Sequence, residues 1–185
     1  MRRTKLFSLA MLAVAWLAGG SAQAWDEPAQ VDGVYQIGTA SELEWFAEYV
    51  NGVTDDMATN TPEESSARLS AQAVLTADIY MTGIDHAPIG RYTKEDGSVR
   101  DTYKFAGKFD GQFHTISHLV IDRPDDEALG LFGFCRGNAK IKNIIMDSTC
   151  SIKGKNRIGS IVGLIQTNTG ASDGSNMKYA SDGKR

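Results

Sequence analysis

The sequence predicts a mainly β fold, a right-handed parallel β-helix (solenoid) with an N-terminal capping α-helix. Three observations carry that prediction. Apolar stretches are short, alternating and framed by glycine, as in Phe105-Ala-Gly107-Lys-Phe109-Asp110-Gly111 and Gly130-Leu131-Phe132-Gly133. The second half of the Phe105–Gly133 unit is echoed downstream: Ile141-Lys-Asn-Ile-Ile-Met-Asp147 follows Ile116-Ser-His-Leu-Val-Ile-Asp122, and Gly159-Ser-Ile-Val-Gly163 follows Gly130–Gly133. A clear helical period occurs in one place, where Leu43, Phe46, Ala47 and Val50 fall on one face.

Residues 1–24 stand apart from the fold. Arg2, Arg3 and Lys5 precede an apolar run from Leu6 to Leu17, and Ala22-Gln23-Ala24 fits a small-residue cleavage site. This pattern predicts a Sec-type signal peptide cut before Trp25 and a secreted or cell-surface protein. The run falls short of the ~20 residues a bilayer-spanning helix needs, which argues against a membrane anchor. Loss of these three cations moves the formal charge from −4 to −7. So acidic a chain argues against nucleic acid and anionic membrane as partners.

In order after cleavage, residues 25–72 form an N-terminal cap and a polar excursion. Ser41-Glu-Leu-Glu44 has the spacing of a capping box, and Asn51-Gly52 supplies a helix stop. Residues 53–72 are polar, with a short helix expected over Glu63–Ala71. Residues 73–168 carry the β-helix. It opens with a strand over Ala73–Met81, then turns at Gly83 and Pro88 and a charged surface loop over Arg91–Thr102. Asp110-Gly111 predicts a tight turn in which Gly111 takes positive φ. Ile116, Leu119 and Ile121 are the expected inward residues, Arg123–Glu127 a charged corner around Pro124, and Leu129–Phe134 a buried strand. Ile141, Ile144 and Met146 hold the matching inward places one coil later. Residues 169–185 are a flexible polar tail, with no capping helix to close the array.

A glycine-punctuated repeat of 20–30 residues is the mark of a solenoid. Coils ~4.8 Å apart share one apolar interior and satisfy their backbone groups from coil to coil. An antiparallel sandwich of short strands is the competing architecture, and the echo disfavours it.

The pattern Phe105-x-Gly107-x-Phe109-Asp110-Gly111-x-x-His114-x-Ile116-x-x-Leu119-x-Ile121, followed by Gly130-Leu131-Phe132-Gly133, resembles the GLUG repeat. Tyr35-x-Ile37, Ser41–Ala47, Asn51-Gly52 and Leu75–Ile79 resemble the lead-in of that family. The resemblance implies a bacterial surface or adhesin-like protein, similar to the amino-terminal β-helical region of immunoglobulin A metalloproteases. Phe105, Gly107, Phe109, Asp110, Gly111, His114, Gly130, Leu131, Phe132 and Gly133 would then be structural motif residues. No His-Glu-x-x-His motif exists here, so the protease activity does not carry over.

The remaining chemistry is sparse. His86, His114 and His118 lack metal-ligand spacing and are expected to be hydrogen-bonded turn or core residues, and Asp78 a turn-stabilising carboxylate. Asp122 and Asp147 occupy equivalent places in the echoed stretches. Stacked on adjacent coils, they could bind Ca²⁺ or serve as an acid–base pair on a sugar. Trp25, Tyr92 and Tyr103 could stack on sugar rings. Cys135 and Cys150 could close a disulfide worth ~3 kcal/mol by chain entropy, or remain two buried thiols. The function expected is a non-enzymatic exported module that binds host or matrix ligands, glycan or protein, or forms the N-terminal part of a larger surface protein. No cofactor is implied. The alternative is a β-helical polysaccharide lyase or hydrolase fragment working through the stacked carboxylates.

Overall fold

The computed structural model describes residues 24–52, 62–92, 94–95, 98–99 and 103–166. The expected signal peptide up to residue 23, residues 53–61 of the polar excursion and the expected tail lie outside them. Strands take 44% of the described residues and helices 16%, so this part of the protein is mainly β.

β1 (Gln30–Val31) and β2 (Val34–Ile37) form an antiparallel hairpin, its turn held by Asp32 and Gly33 at φ 51° and 76°. Two successive positive-φ residues match the right-handed twist of the flanking strands. Helix α1 (Ala40–Asn51) follows. Its cap lies two residues before the expected one. Thr39, in extended conformation, accepts from the Glu42 amide, and Glu42 Oε2 accepts from the Thr39 amide. Ser41 Oγ instead accepts from the Asp26 amide, and Glu44 is drawn inward. Gly52 ends the helix in the left-handed region at φ 69°. The guanidinium of Arg68, on α2 (Pro62–Leu69), donates to the carbonyls of Tyr49 and Val50 and so places a cation at the negative end of α1.

The expected strand over Ala73–Met81 is two strands, β3 (Gln72–Leu75) and β4 (Ile79–Tyr80). The charged loop contains a small hairpin, β5 (Lys94–Glu95) with β6 (Ser98–Val99). Then come β7 (Lys108–Asp110), β8 (Thr115–Ser117), β9 (Val120–Leu129) and β10 (Phe132–Arg136). The last described strands are β11 (Lys140–Lys142), β12 (Ile145–Met146), β13 (Ser151–Ile158) and β14 (Val162–Gln166).

Apart from the two hairpins, every strand pair is parallel. One sheet runs β1-β2-β3-β7-β11 and a second β4-β8-β12, with β9 beside β13 and β10 beside β14. The register corrects the expected alignment of the two echoed stretches. Ile141 lies opposite Phe109, and it is Met146 that lies opposite Ile116. The spacing between partners is 29 to 32 residues along these strands. It falls from 31 to 29 at a register shift between Gly154 and Asn156, so Ser148–Arg157 carries no extra residues and β13 is locally two shorter than β9. The echo compared one strand with its neighbour in chain order, because both alternate inward apolar residues in the same way. Arg123–Glu127 is likewise no corner but the middle of β9. Pro124 is tolerated there because β9 has a strand partner on one side only.

Ile37, Leu43, Phe46, Leu75, Ile79, Phe105, Phe109, Ile116, Leu119, Ile121, Leu131 and Phe132 are fully buried. The Phe132 ring sits 5.2 Å from both Phe105 and Phe109, and Phe46 of α1 packs on the same two rings at 6.4 and 6.1 Å. At these separations, aromatic pairs each add ~0.5–1.5 kcal/mol beyond burial. Gly111 does not adopt positive φ; Gln112 and Phe113, at 47° and 64°, make the turn instead. Glycine is needed at 111 for space. A Cβ there would lie 2.8 Å from the Cα of Ile144 and would also collide with the Asn143 carbonyl oxygen, both in the following parallel segment.

Candidate functional site

The conspicuous residues of Phe105–Gly133 serve packing and turn geometry. Phe105, Phe109, Leu131 and Phe132 are core, and Gly107, Gly130 and Gly133 lie where neighbouring backbone approaches closely. Asp110 binds three groups at the turn. Its Oδ1 accepts from the Gln112 amide at 3.0 Å and from Asn143 Nδ2 at 2.9 Å, and its Oδ2 pairs with Lys142 Nζ at 2.9 Å. Lys142 above all holds this carboxyl below its ordinary range. Asp78 accepts from the Thr115 amide at 2.8 Å and faces His114 Nδ1 at 3.3 Å. The amide bond is the larger cause of its lowered pKa.

Asp122 and Asp147 are not brought together. Asp122 lies opposite Lys153 and pairs with its Nζ at 3.2 Å. Asp147 comes directly after β12, whose Met146 is opposite Ile116, and so lies at a turn away from the β9–β13 pair. Its Oδ1 accepts from both the hydroxyl and the amide of Thr149, which lower its pKa in that order. The stacked acid–base or Ca²⁺ pair is therefore not formed, and among the described residues no three His, Cys, Asp or Glu gather as a metal-holding group. Cys135 and Cys150 are both free thiols, not a disulfide. Burial pushes the Cys135 thiol up; Cys150 is half-buried and donates to the Ile116 carbonyl at 3.4 Å.

The three aromatics expected to be free for sugars are engaged. Trp25 Nε1 donates to Glu48 at 2.9 Å, Tyr92 packs edge-on against Phe134, and Arg91 lies over Tyr103. Among the described residues two aromatics are exposed: Phe113, 71% accessible at the turn after Gly111, and Tyr80, 67% accessible on β4 and the one with polar side chains beside it. Its ring lies 6.4 Å from His118, which holds φ 58° while its amide donates to Thr149 Oγ1 at 2.7 Å. Tyr80, His118, Thr149 and Asp147 thus form an outward ledge across three successive parallel segments. The strand alternation carried a signal for this site. Ile79 points in, so Tyr80 must point out.

His86 is a hydrogen-bonded core histidine, as expected, and its partner is Glu44, which the sequence suggests as a capping residue. Glu44 and His86 are buried, and Nδ1 of His86 bonds Glu44 Oε1. The Leu131 carbonyl can only accept, so His86 Nε2 carries hydrogen and donates to it at 3.0 Å. The Glu44–His86 bond therefore needs a further proton between the two side chains. The Ala87 amide donates to the second Glu44 oxygen at 3.3 Å. Fully enclosed by packing, this cluster ties α1 to the sheets.

Among the described residues, the ion pairs that join Asp or Glu of one segment to Lys or Arg of another run one way. Asp85, Asp110, Asp122 and Glu127 lie on the earlier segment, and Arg123, Lys142, Lys153 and Arg157 on the later one.

Among the described residues, no helix is long and apolar enough to cross a membrane. No family model matches the chain, and no solved structure matches it. Over 126 residues, 63% of this chain, it is 31% identical to halomucin of Haloquadratum walsbyi. The chain spans 1% of that relative's length.

Proposed function

We propose that the protein is an exported, non-enzymatic surface or adhesin-like module, a right-handed parallel β-helix of GLUG type that binds an extracellular glycan or protein. The helical fold is supported by parallel pairing at 29 to 32 residues from β7 to β14 and by α1 packed on the core beside β2. Export is supported by the character of residues 1–24 and by the likeness to a protein named as a mucin. Binding rests on the Tyr80–His118 ledge. An exposed aromatic face beside a fixed hydroxyl and carboxylate offers apolar stacking and directed hydrogen bonds together. Carboxylate catalysis lacks its pair, since Asp122 faces Lys153 and not Asp147.

The test is binding of the purified protein to a panel of polysaccharides and immobilised matrix proteins. Tyr80→Ala and His118→Ala should each weaken binding at least tenfold, about 1.4 kcal/mol, without moving the melting temperature. Binding unaffected by both substitutions would overturn the ledge. Release of reducing ends or unsaturated uronides would overturn the non-enzymatic assignment.

A further inference from the structure

The two outer edges of the five-stranded sheet differ in charge. At the β1 edge, residues 24–52 carry six carboxylates and no Lys or Arg. Asp26, Glu27 and Asp32 are exposed, and Glu42 and Glu48 are partly exposed. At the β11 edge, residues 137–166 carry Lys140, Lys142, Lys153, Lys155 and Arg157 against the lone carboxylate Asp147. Lys140 and Lys155 are exposed. Neither β1 nor β11 has a strand on its outer side among the described residues.

The apolar surface follows the same division. Residues one segment inside the β11 edge are sealed, as with Ile116, Leu119 and Ile121 at 0% exposure. Their counterparts at the edge, Met146 and Ile152, are only half-buried, and Ile145 and Ile158 are 44% and 40% exposed. On β1, Val31 is 58% exposed. Inside the molecule, the four Lys or Arg pairs between successive segments have acid on the earlier side and base on the later side. At the β11 edge the bases are present in excess, and the matching carboxylates stand at the opposite edge of the same chain.

From this geometry we infer that the protein associates with copies of itself head to tail, the basic β11–β14 end of one copy seating on the acidic β1–α1 end of the next. A contact between two different patches does not close on itself unless the rotation happens to complete a ring. It therefore extends into open chains rather than stopping at a dimer. The edge backbone groups gain partners, as in strand addition, and the half-buried layer is covered. Opposite charges set the polarity, because two like ends repel.

Light scattering and sedimentation of the purified protein test this. Average mass should rise with concentration at low salt and fall to that of a monomer as salt shortens the Debye length from ~10 Å at 0.1 M to ~3 Å at 1 M. A Lys140→Glu/Lys155→Glu variant, altered at exposed positions only, should need at least tenfold higher concentration to associate. The same holds for Asp26→Lys/Glu27→Lys. Mixed together, the two variants should associate again, since each reversed end now meets a complementary one. Circular dichroism of both variants should match the parent, so that lost association is not lost folding. A monomer under all conditions would overturn the inference and leave the β11 end to a different partner. A dimer of fixed size, or association that ignores both charge reversals, would overturn it as well.

Discussion

The β1 and β11 ends of the sheet face the same physical demand and meet it differently. Both terminate a stack of parallel strands above an apolar layer. At the first, α1 lays Leu43, Phe46, Ala47 and Val50 over the layer, and all four are fully buried. At the second, Ile141, Ile144, Met146 and Ile152 have the same chemical character but remain half-open. The difference shows that inward alternation alone does not bury a residue; a following layer must lie on it. Burial here is a property of neighbouring segments, so identical sequence patterns carry different energies along the stack.

The comparison is sharpest in truncation. Phe46→Ala should cost ~3–5 kcal/mol in urea unfolding, because a filled aromatic site becomes a cavity. Ile152→Ala, in a half-open layer, should cost less than about 2 kcal/mol, the low end for aliphatic truncation. Equal losses would mean that the β11 end is as well covered as the β1 end.

Glu44 and His86 fasten the closed end, and the open end has no such buried pair among the described residues. Glu44→Ala should destabilise by ~3–5 kcal/mol by leaving the imidazole without its buried partner. Replacing both, as Glu44→Leu/His86→Leu, should recover part of that loss. A double variant as unstable as the sum of its singles would show that the two side chains act independently.

Gly111 tests contact between segments at the middle of the stack. Gly111→Ala and Gly111→Asn should each cost ~1–3 kcal/mol by overpacking against Asn143 and Ile144. Asparagine tolerates positive φ far better than alanine does. A benign Asn beside a damaging Ala would therefore point to backbone conformation instead of crowding.

The smallest effect is electrostatic. Asp78, Asp110 and Asp147 have pKa values below their ordinary range in the folded chain, through Thr115, Lys142 and Thr149 respectively. Their contribution is complete above the unfolded carboxyl value of ~3.9 and is lost as pH falls through the lowered native values. Acid unfolding of Asp110→Asn should accordingly be less steep below that pH than in the parent. These groups are mostly solvent-facing, so the change should be slight and should shrink with added salt.

Much of the local structure was legible before any coordinates. The apolar stripe of α1, its Gly52 stop and the inward trio Ile116, Leu119 and Ile121 each depend on neighbours a few residues away, and periodicity reports those directly. The capping residue was misplaced because Ser41-x-x-Glu44 and Thr39-x-x-Glu42 compete at the same helix start. Burial of Glu44 against His86, 42 residues on, decided between them. The site was less legible. Asp122 and Asp147 look equivalent in one dimension, yet the ladder sets Asp122 within β9 and Asp147 at the turn after β12. Tyr80 is obscured by its apolar neighbours Ile79 and Met81, although alternation with Ile79 marks it as outward.

By itself, the sequence determined which residues are inward, where the chain turns and that β structure dominates, because these follow from side-chain polarity and backbone preference over short range. Only the tertiary structure decided the register, and with it the role of nearly every charged residue. A parallel ladder joins positions some 30 residues apart through backbone hydrogen bonds that carry no side-chain identity. Shifting the ladder by one strand leaves the apolar pattern intact but changes which charges meet, and that is why Asp122 faces Lys153.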